Sequence, residues 1–404
     1  MTIKIAFIHH HGSLLGASRS LVNLIEGLQA YDVEPYVIVS EKGDVIDVLE
    51  RIGCRVEYVP YKRWVAFRGR LESIFYKVSG ERWFLKDDWE DTEHLLRVVE
   101  LLKTWDVDLV QSNSAVIPVG HYAARLLALP HIWHLREFMN NYGFHFLLGE
   151  KRSMQIINSS AACIAISDCV AQCYFDDSPG IKRIISNGVL SLASFSSMRE
   201  KSIAHQRAGS GFVFGMIGMI HPSKGFETSL RAFKLLVQDF PAARLAIAGS
   251  GELDTLKKLA ASLGISSRVD FLGFVKDPFD FYPTIDALLM CSKREAMGRV
   301  TVEANALCKP VIGYDEAGTS ELIQHGRTGL LYRGGHQELA ASMRLFLSDP
   351  ELARQMGMAA WETACAGFSV ETYSSRFYQV VEEVLASNKG QNREREIVHT
   401  ASCS

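Results

Sequence analysis

Short apolar runs alternate along the chain with stretches whose apolar positions recur at helical spacing. This is the pattern of strand–helix–strand units built around parallel sheets. Residues 3–8 are rich in β-branched and aromatic side chains, as expected of a strand covered on both faces. Behind them a loop containing Gly12 and Gly16 leads into a helix on which Leu21, Leu24, Ile25 and Leu28 share one face. Further strands are predicted at 36–39, 56–59, 109–111, 132–134, 163–166 and 183–185, making one doubly wound sheet. Residues 191–210, rich in Ser, Ala, Lys and Arg, show no period and predict a linker.

Beyond the linker the alternation restarts. Strands are predicted at 212–217, 244–248, 269–272, 287–291 and 311–314, with helices at 226–238, 253–263 and 300–307, the last halted by Pro310. Helices near 336–348 and 350–365 follow, and a last one begins at Val370. The expected organisation is an α/β domain over 1–190, a linker over 191–210, a second α/β domain over 211–369, a helix over 370–388 and a disordered tail over 389–404. Ligands of open parallel sheets sit beyond the carboxyl ends of the strands, so two such domains are expected to turn their loops toward a shared central cleft.

Composition narrows the class. With 48% hydrophobic and 22% charged residues among 404, the chain can bury a real core, and its net charge of −3 gives no general attraction for nucleic acid. The eight cysteines lack paired metal or disulfide spacing and read as reduced thiols. The N-terminal stretch is too short for a signal-peptide core and no run reaches the length of a membrane span, so a cytoplasmic protein is expected. Residues 61–86 depart from the acidic whole, with seven Lys or Arg, two Glu and seven aromatics. Two readings stand side by side: a patch on the inner face of a membrane, with Trp64, Phe67, Trp83 and Phe84 entering the interface and a lipid-linked acceptor nearby, or a polar-rimmed helix packed on the first domain.

The chemistry concentrates in residues 292–330. A strand ends there, a loop holding Glu295 and Gly298 follows, and a helix opens near Arg299 with Glu303 in its first turn. Unpaired amides at such a helix start, helped by the macrodipole, favour a phosphate, and Gly298 lets it approach the backbone. Glu295 is placed to accept hydrogen bonds from ligand hydroxyls, and Glu303 to reach a ribose. Upstream, the turn from Gly218 through Met219 and His221 to Gly225 offers Lys224 to the same phosphates.

The E-x₇-E spacing of Glu295 and Glu303, with the Lys309-Pro310-Val311-Ile312 and Gly318-Thr319-Ser320-Glu321 segments, resembles the nucleotide-sugar site of retaining glycosyltransferases of the GT-B fold, family four. The likeness is specific over residues 211–332. It is weaker over 1–190, where it rests on His9 to Ala17, His134 to Glu137, Ala165 to Ser167 and Ser186 to Val189. The resemblance implies two Rossmann-like domains and transfer of a sugar from a nucleoside-diphosphate sugar to a glycan or lipid-linked glycan acceptor, in polysaccharide or cell-envelope glycan synthesis. It implies no metal and no cofactor beyond the donor itself.

By the same resemblance Glu295 contacts sugar hydroxyls, Glu303 the ribose and Lys224 the diphosphate, while backbone at Gly273, Phe274 and Val275 holds the nucleobase. Gly218, Met297, Gly298, Arg299, Val300, Gly318 and Thr319 line the phosphate and sugar, Gly16 sits in a loop close to the donor, and His134 faces the reacting carbon. Met219 stands where the family usually has arginine, and Arg299 is the expected replacement for that charge.

Other patterns carry blander readings. His9-His10-His11 lies where a buried strand becomes a loop and is read as a non-metal feature. Asp106-Val107-Asp108 marks the polar end of a strand, and Gly249-Ser250-Gly251 lacks a full dinucleotide fingerprint. Fold alone leaves a nucleotide-sugar epimerase, a phosphorylase, or a non-catalytic binding scaffold as alternatives.

Overall fold

The computed structural model describes residues 2–67, 91–138, 144–204 and 211–402. The chain divides into two compact units, Met1–Gly188 with Val370–Ser404, and Val189–Ser369.

The first unit is built on seven parallel strands in the order β3-β2-β1-β5-β6-β8-β9. These are β1 (Ile3–His9), β2 (Val33–Val39), β3 (Arg55–Tyr58), β5 (Leu109–Ser112), β6 (His131–Leu135), β8 (Ala162–Ala165) and β9 (Ile181–Ile184), while β4 (Val65–Phe67) and β7 (Phe144–Phe146) form a separate antiparallel pair. Alternating side chains of β1 feed two cores, as the period of a strand demands. Ile5 and Phe7 pack under the helix Gly16–Leu28 and the C-terminal helix Val370–Ser402, and Ala6 and Ile8 pack under helices Thr92–Trp105 and Val119–Leu126. The C-terminal helix lies close on Gly16–Leu28 because Gly27 has no side chain; a Cβ there would stand 2.6 Å from Ser374 Oγ.

The second unit holds six parallel strands in the order β12-β11-β10-β13-β14-β15. They are β10 (Val213–Ile217), β11 (Arg244–Ala248), β12 (Val269–Gly273), β13 (Ala287–Met290), β14 (Val311–Tyr314) and β15 (Gly329–Tyr332). Phe214, Leu245, Ile247 and Ile312 meet Leu230, Phe233, Leu339, Met343 and Phe346 of the covering helices in one continuous core. Edge strand β15 escapes the sequence reading because its four residues carry no distinctive pattern.

Three expectations need correction. Residues Leu192–Ala204 of the expected linker form a helix within the second unit, capped by Ser191 Oγ, which accepts from Ser194 N at 3.1 Å. Phe195 is its buried residue while Leu192 and Ile203 are exposed, so no apolar stripe marks it in the sequence. The terminal helix runs on to Ser402 where a disordered tail is expected from 389; that stretch contains no proline to end it. Trp64, assigned on one reading to a membrane interface, is 1% exposed. It stacks on Trp133 with centroids 5.6 Å apart and donates through Nε1 to Ala115 O at 2.7 Å. Residues 68–86 of that patch, with Trp83 and Phe84, lie outside the described residues. Among the described residues no helix is long and apolar enough to cross a membrane.

Candidate functional site

In the second unit the strand order reverses between β10 and β13, the point at which ligands of doubly wound sheets bind. Two loops leave the carboxyl ends of these strands. The first, from Gly218, tightens into a turn at Pro222–Lys224 whose start is capped by His221 Nδ1, which accepts from Ser223 N at 3.2 Å. The second runs from Cys291 to Gly298. Lys293 N donates to Ser223 O at 3.3 Å, joining the loops. They approach closely at Gly225, whose φ of 71° and missing side chain are both required, since a Cβ would stand 2.6 Å from Cys291 O. Lys224 Nζ donates to Glu295 Oε1 across this junction, with both side chains largely buried.

The helix Arg299–Ala306 begins directly behind Gly298, which holds φ of 82°. Its first amides point along the start of the helix, with Met297 buried and Val300 half-buried beside them. Gly318 N donates to Glu295 O at 2.8 Å and locks the acidic loop in place; a Cβ on Gly318 would meet Ala296 O at 2.6 Å. Among the described residues the buried hydroxyls of Thr301 and Thr319 find no hydrogen-bond partner. Such groups are rare in folded proteins and mark a place where a polar ligand has something to gain.

At the outer strand ends, Gly218 N donates to Ala248 O at 3.1 Å and Gly249 N to Gly273 O at 2.7 Å. Phe274 follows with 73% of its surface exposed, Val275 is half-buried, and Met219 is 55% exposed.

Glu303 corrects one expectation. It lies in the second turn of its helix rather than the first, because the helix begins at Arg299. It is also 3% exposed, with Oε2 accepting from Tyr282 O–H at 2.8 Å and Oε1 from Arg299 Nε at 2.9 Å. Arg299, expected to replace the charge missing at Met219, is thus turned to Glu303 and to Val189 O at 3.3 Å. Tyr282 left no signal in the sequence; it stands 21 residues from its partner.

In the first unit the reversal lies between β1 and β5. Here His9 Nε2 pairs with Ser18 Oγ at 2.9 Å, and Asn113 Nδ2 reaches His9 Nδ1 at 3.0 Å. Arg136 Nε donates to Asn113 Oδ1 at 2.9 Å and Nη2 to Tyr373 O–H at 2.9 Å, while Nη1 donates to Asn187 Oδ1. Burial pulls His9 down to about 3, helped by the charges of His11, Arg136 and Arg63. Burial, then Arg136, also holds His134 well below the ordinary imidazole range.

His134 does not face an open reaction site. It is fully buried, with its ring parallel to Phe377 and edge-on to Tyr373 of the C-terminal helix, because its position on β6 points it into the core shared with that helix. Gly16 opens the helix Gly16–Leu28 with free space around its Cα, whereas Gly12 is the sterically required glycine: a Cβ there would stand 2.3 Å from Lys42 O. Asp108 accepts from Lys4 N at 2.8 Å and Asp106 pairs with Lys4 at 3.6 Å, so both acids serve the starting ends of the neighbouring strands β1 and β5.

Comparison with known proteins agrees with this arrangement. A family model described as "Glycosyl transferases group 1" matches residues 197–363. A protein of Haemophilus influenzae named as an uncharacterized glycosyltransferase is 23% identical over 359 residues, covering 87% of this chain and 92% of that one. A Rhizobium meliloti protein named as a lipopolysaccharide core biosynthesis glycosyltransferase is 30% identical over 167 residues, 41% of this chain and 48% of its own. Among solved structures, Anabaena HepE in complex with UDP superposes with a TM-score of 0.74 at 22% identity, over 94% of this chain and all of that one. The chain therefore has the GT-B fold, and its residues 197–363 are similar to the group 1 glycosyl transferases.

Proposed function

We propose that this chain is a retaining glycosyltransferase that moves a sugar from a nucleoside-diphosphate sugar to a glycan or lipid-linked glycan acceptor. The observation that carries the reading is the Lys224–Glu295 pair, in which Glu295 lies on the loop that ends at Gly298, directly before the helix Arg299–Ala306. A diphosphate placed there meets main-chain donors and an ammonium, and a sugar placed beside it meets a carboxylate able to accept from its hydroxyls. In this reading the ligand separates the pair: the hydroxyls take over Glu295 and the phosphate oxygens take over Lys224.

The reaction breaks the bond between the anomeric carbon and the diphosphate oxygen and leaves its electron pair on that oxygen. An acceptor oxygen forms the new bond, and its proton passes to the departing phosphate when attack comes from the same face. Charge grows on the leaving group in the transition state, so Lys224 and the helix-start amides stabilise it more than they stabilise the bound donor. No step is routed through buried His134. The exposed ring of Phe274 offers a flat surface for the base. The UDP in HepE and the lipopolysaccharide-core role in the name of the Rhizobium relative support a nucleotide-sugar donor and a glycan acceptor.

A thermal-shift screen with UDP, GDP, ADP and dTDP, followed by measurement of nucleoside-diphosphate release with candidate acceptors, tests the reading. At least one diphosphate is expected to raise the melting temperature by mass action. Binding without turnover for any acceptor supports a scaffold instead, a reading that exposed Met219 in place of a phosphate-binding arginine keeps in view; no shift with any of the four overturns the nucleotide site.

A further inference from the structure

The chain passes between its units twice, from Gly188 to Val189 and from Ser369 to Val370. Hydrogen bonds within each unit grip both passages. In the first unit Asn23 Nδ2 donates to Gly188 O at 2.9 Å, and Arg136 holds both Asn187 and Tyr373. In the second, Val189 N donates to Phe368 O at 2.9 Å, and Leu190 bridges Ser369 in parallel. One further bond reaches this place from the candidate donor site: Arg299 Nη2 donates to Val189 O at 3.3 Å while its Nε donates to Glu303 Oε1 at 2.9 Å.

That single guanidinium joins the carboxylate assigned to the ribose with the first residue of the second unit. Its planar fork is rigid, so a change in the bond made by one nitrogen re-aims the others. Both partners are largely withdrawn from water, where a charge-assisted bond is weakly screened.

We propose that Arg299 is a positioning residue that links occupancy of Glu303 to the backbone at Val189, so that nucleoside-diphosphate binding and the state of the crossing are energetically coupled. This rests on the reading of the second unit as a nucleotide-sugar site. Ribose hydroxyls donating to Glu303 share its negative charge and lessen its hold on Arg299. The guanidinium then bonds more firmly to Val189 O and steadies the paired segments 189–190 and 368–369. By linkage, whatever steadies the crossing raises nucleotide affinity by the same factor.

Hydrogen exchange with saturating UDP as the probe, on wild type, Arg299→Met and Tyr282→Phe, tests the link. In wild type UDP is expected to slow exchange over residues 186–191 by about fivefold or more, within the usual range of such couplings. Arg299→Met should still bind UDP within about tenfold of wild type yet show little change at the crossing. Tyr282→Phe should bind more weakly and keep the full crossing response once saturated, because its Arg299–Val189 bond is intact. If Arg299→Met does not fold, Arg299→Lys replaces it, since an ammonium cannot span Glu303 and Val189 as the fork does. Full protection of the crossing in the Arg299 variant overturns the proposal, and so does complete loss of UDP binding, which makes Arg299 a direct ligand. Failure of wild type to bind any of UDP, GDP, ADP and dTDP overturns the nucleotide reading and this proposal with it. Binding without a crossing response overturns the proposal alone.

Discussion

Acidification is expected to destabilise the first unit selectively, because five of its histidines are buried and held neutral. Burial lowers His121 to about 4, with Arg125 adding to it, and His9 to about 3. His10, His131 and His134 are lowered well below the ordinary value, again chiefly by burial. In the unfolded chain each takes up a proton near pH 6.5, while the folded unit refuses it, so stability is lost as the pH falls below about 6.5 and the loss continues toward the folded values. Between pH 6.5 and 5.5 His9 and His121 each cost about 1 kcal/mol, or about 2 kcal/mol together, and the other three act in the same direction. Glu137 opposes them: burial raises its carboxyl, so protonation favours the folded state there. Against a typical stability of about 5–15 kcal/mol the net loss is large enough to measure. Urea unfolding followed by tryptophan fluorescence in a Trp361→Phe background, at half-unit steps from pH 7.5 to 5, reads this unit, since Trp64, Trp105 and Trp133 are buried in it and the substitution removes the indole of the second unit. A midpoint that stays level or rises between pH 6.5 and 5.5 refutes the reasoning.

Three further outcomes are expected. Glu295→Gln removes the charge paired with Lys224 and should lower turnover by roughly a hundredfold while nucleoside-diphosphate affinity changes by a few-fold at most, as read by initial rates and calorimetry. Gly318→Ala drives a methyl into Ala296 O and displaces the Glu295 loop, costing about 1–3 kcal/mol and weakening the thermal shift given by the nucleotide; an unchanged shift would argue against this loop as part of the site. Trp64→Ala should cost about 3–5 kcal/mol of stability in denaturant titrations and leave co-sedimentation with anionic vesicles unaltered, because the indole is packed inside the first unit.

The legible parts of the site were those fixed by local rules. The turn from strand into helix that the sequence places at Gly218 to Gly225, with Lys224 in it, and the loop glycine Gly298 ahead of the next helix lie behind the strands between which the second sheet reverses. Parts that depend on distant partners were not legible. Nothing in the neighbourhood of Glu303 foretells Tyr282, and nothing near Arg136 foretells Tyr373, which follows it by 237 residues. His134 looked like a reacting group because it ends a strand, but the side of β6 on which it falls, and the helix that covers that side, turn it inward.

By itself the sequence determined the two parallel sheets and the place of the glycine turn ahead of the helix Arg299–Ala306, because burial on both faces forces continuous apolar strands and tight turns force glycine. Only the tertiary structure decided which charged groups are engaged with one another: that Arg299 bonds Glu303 and Val189, that Trp64 is core, and that residues 192–204 form a helix. Those outcomes depend on side-chain contacts between segments far apart in the chain, and contacts of that kind leave no period in the sequence for a local pattern to reveal.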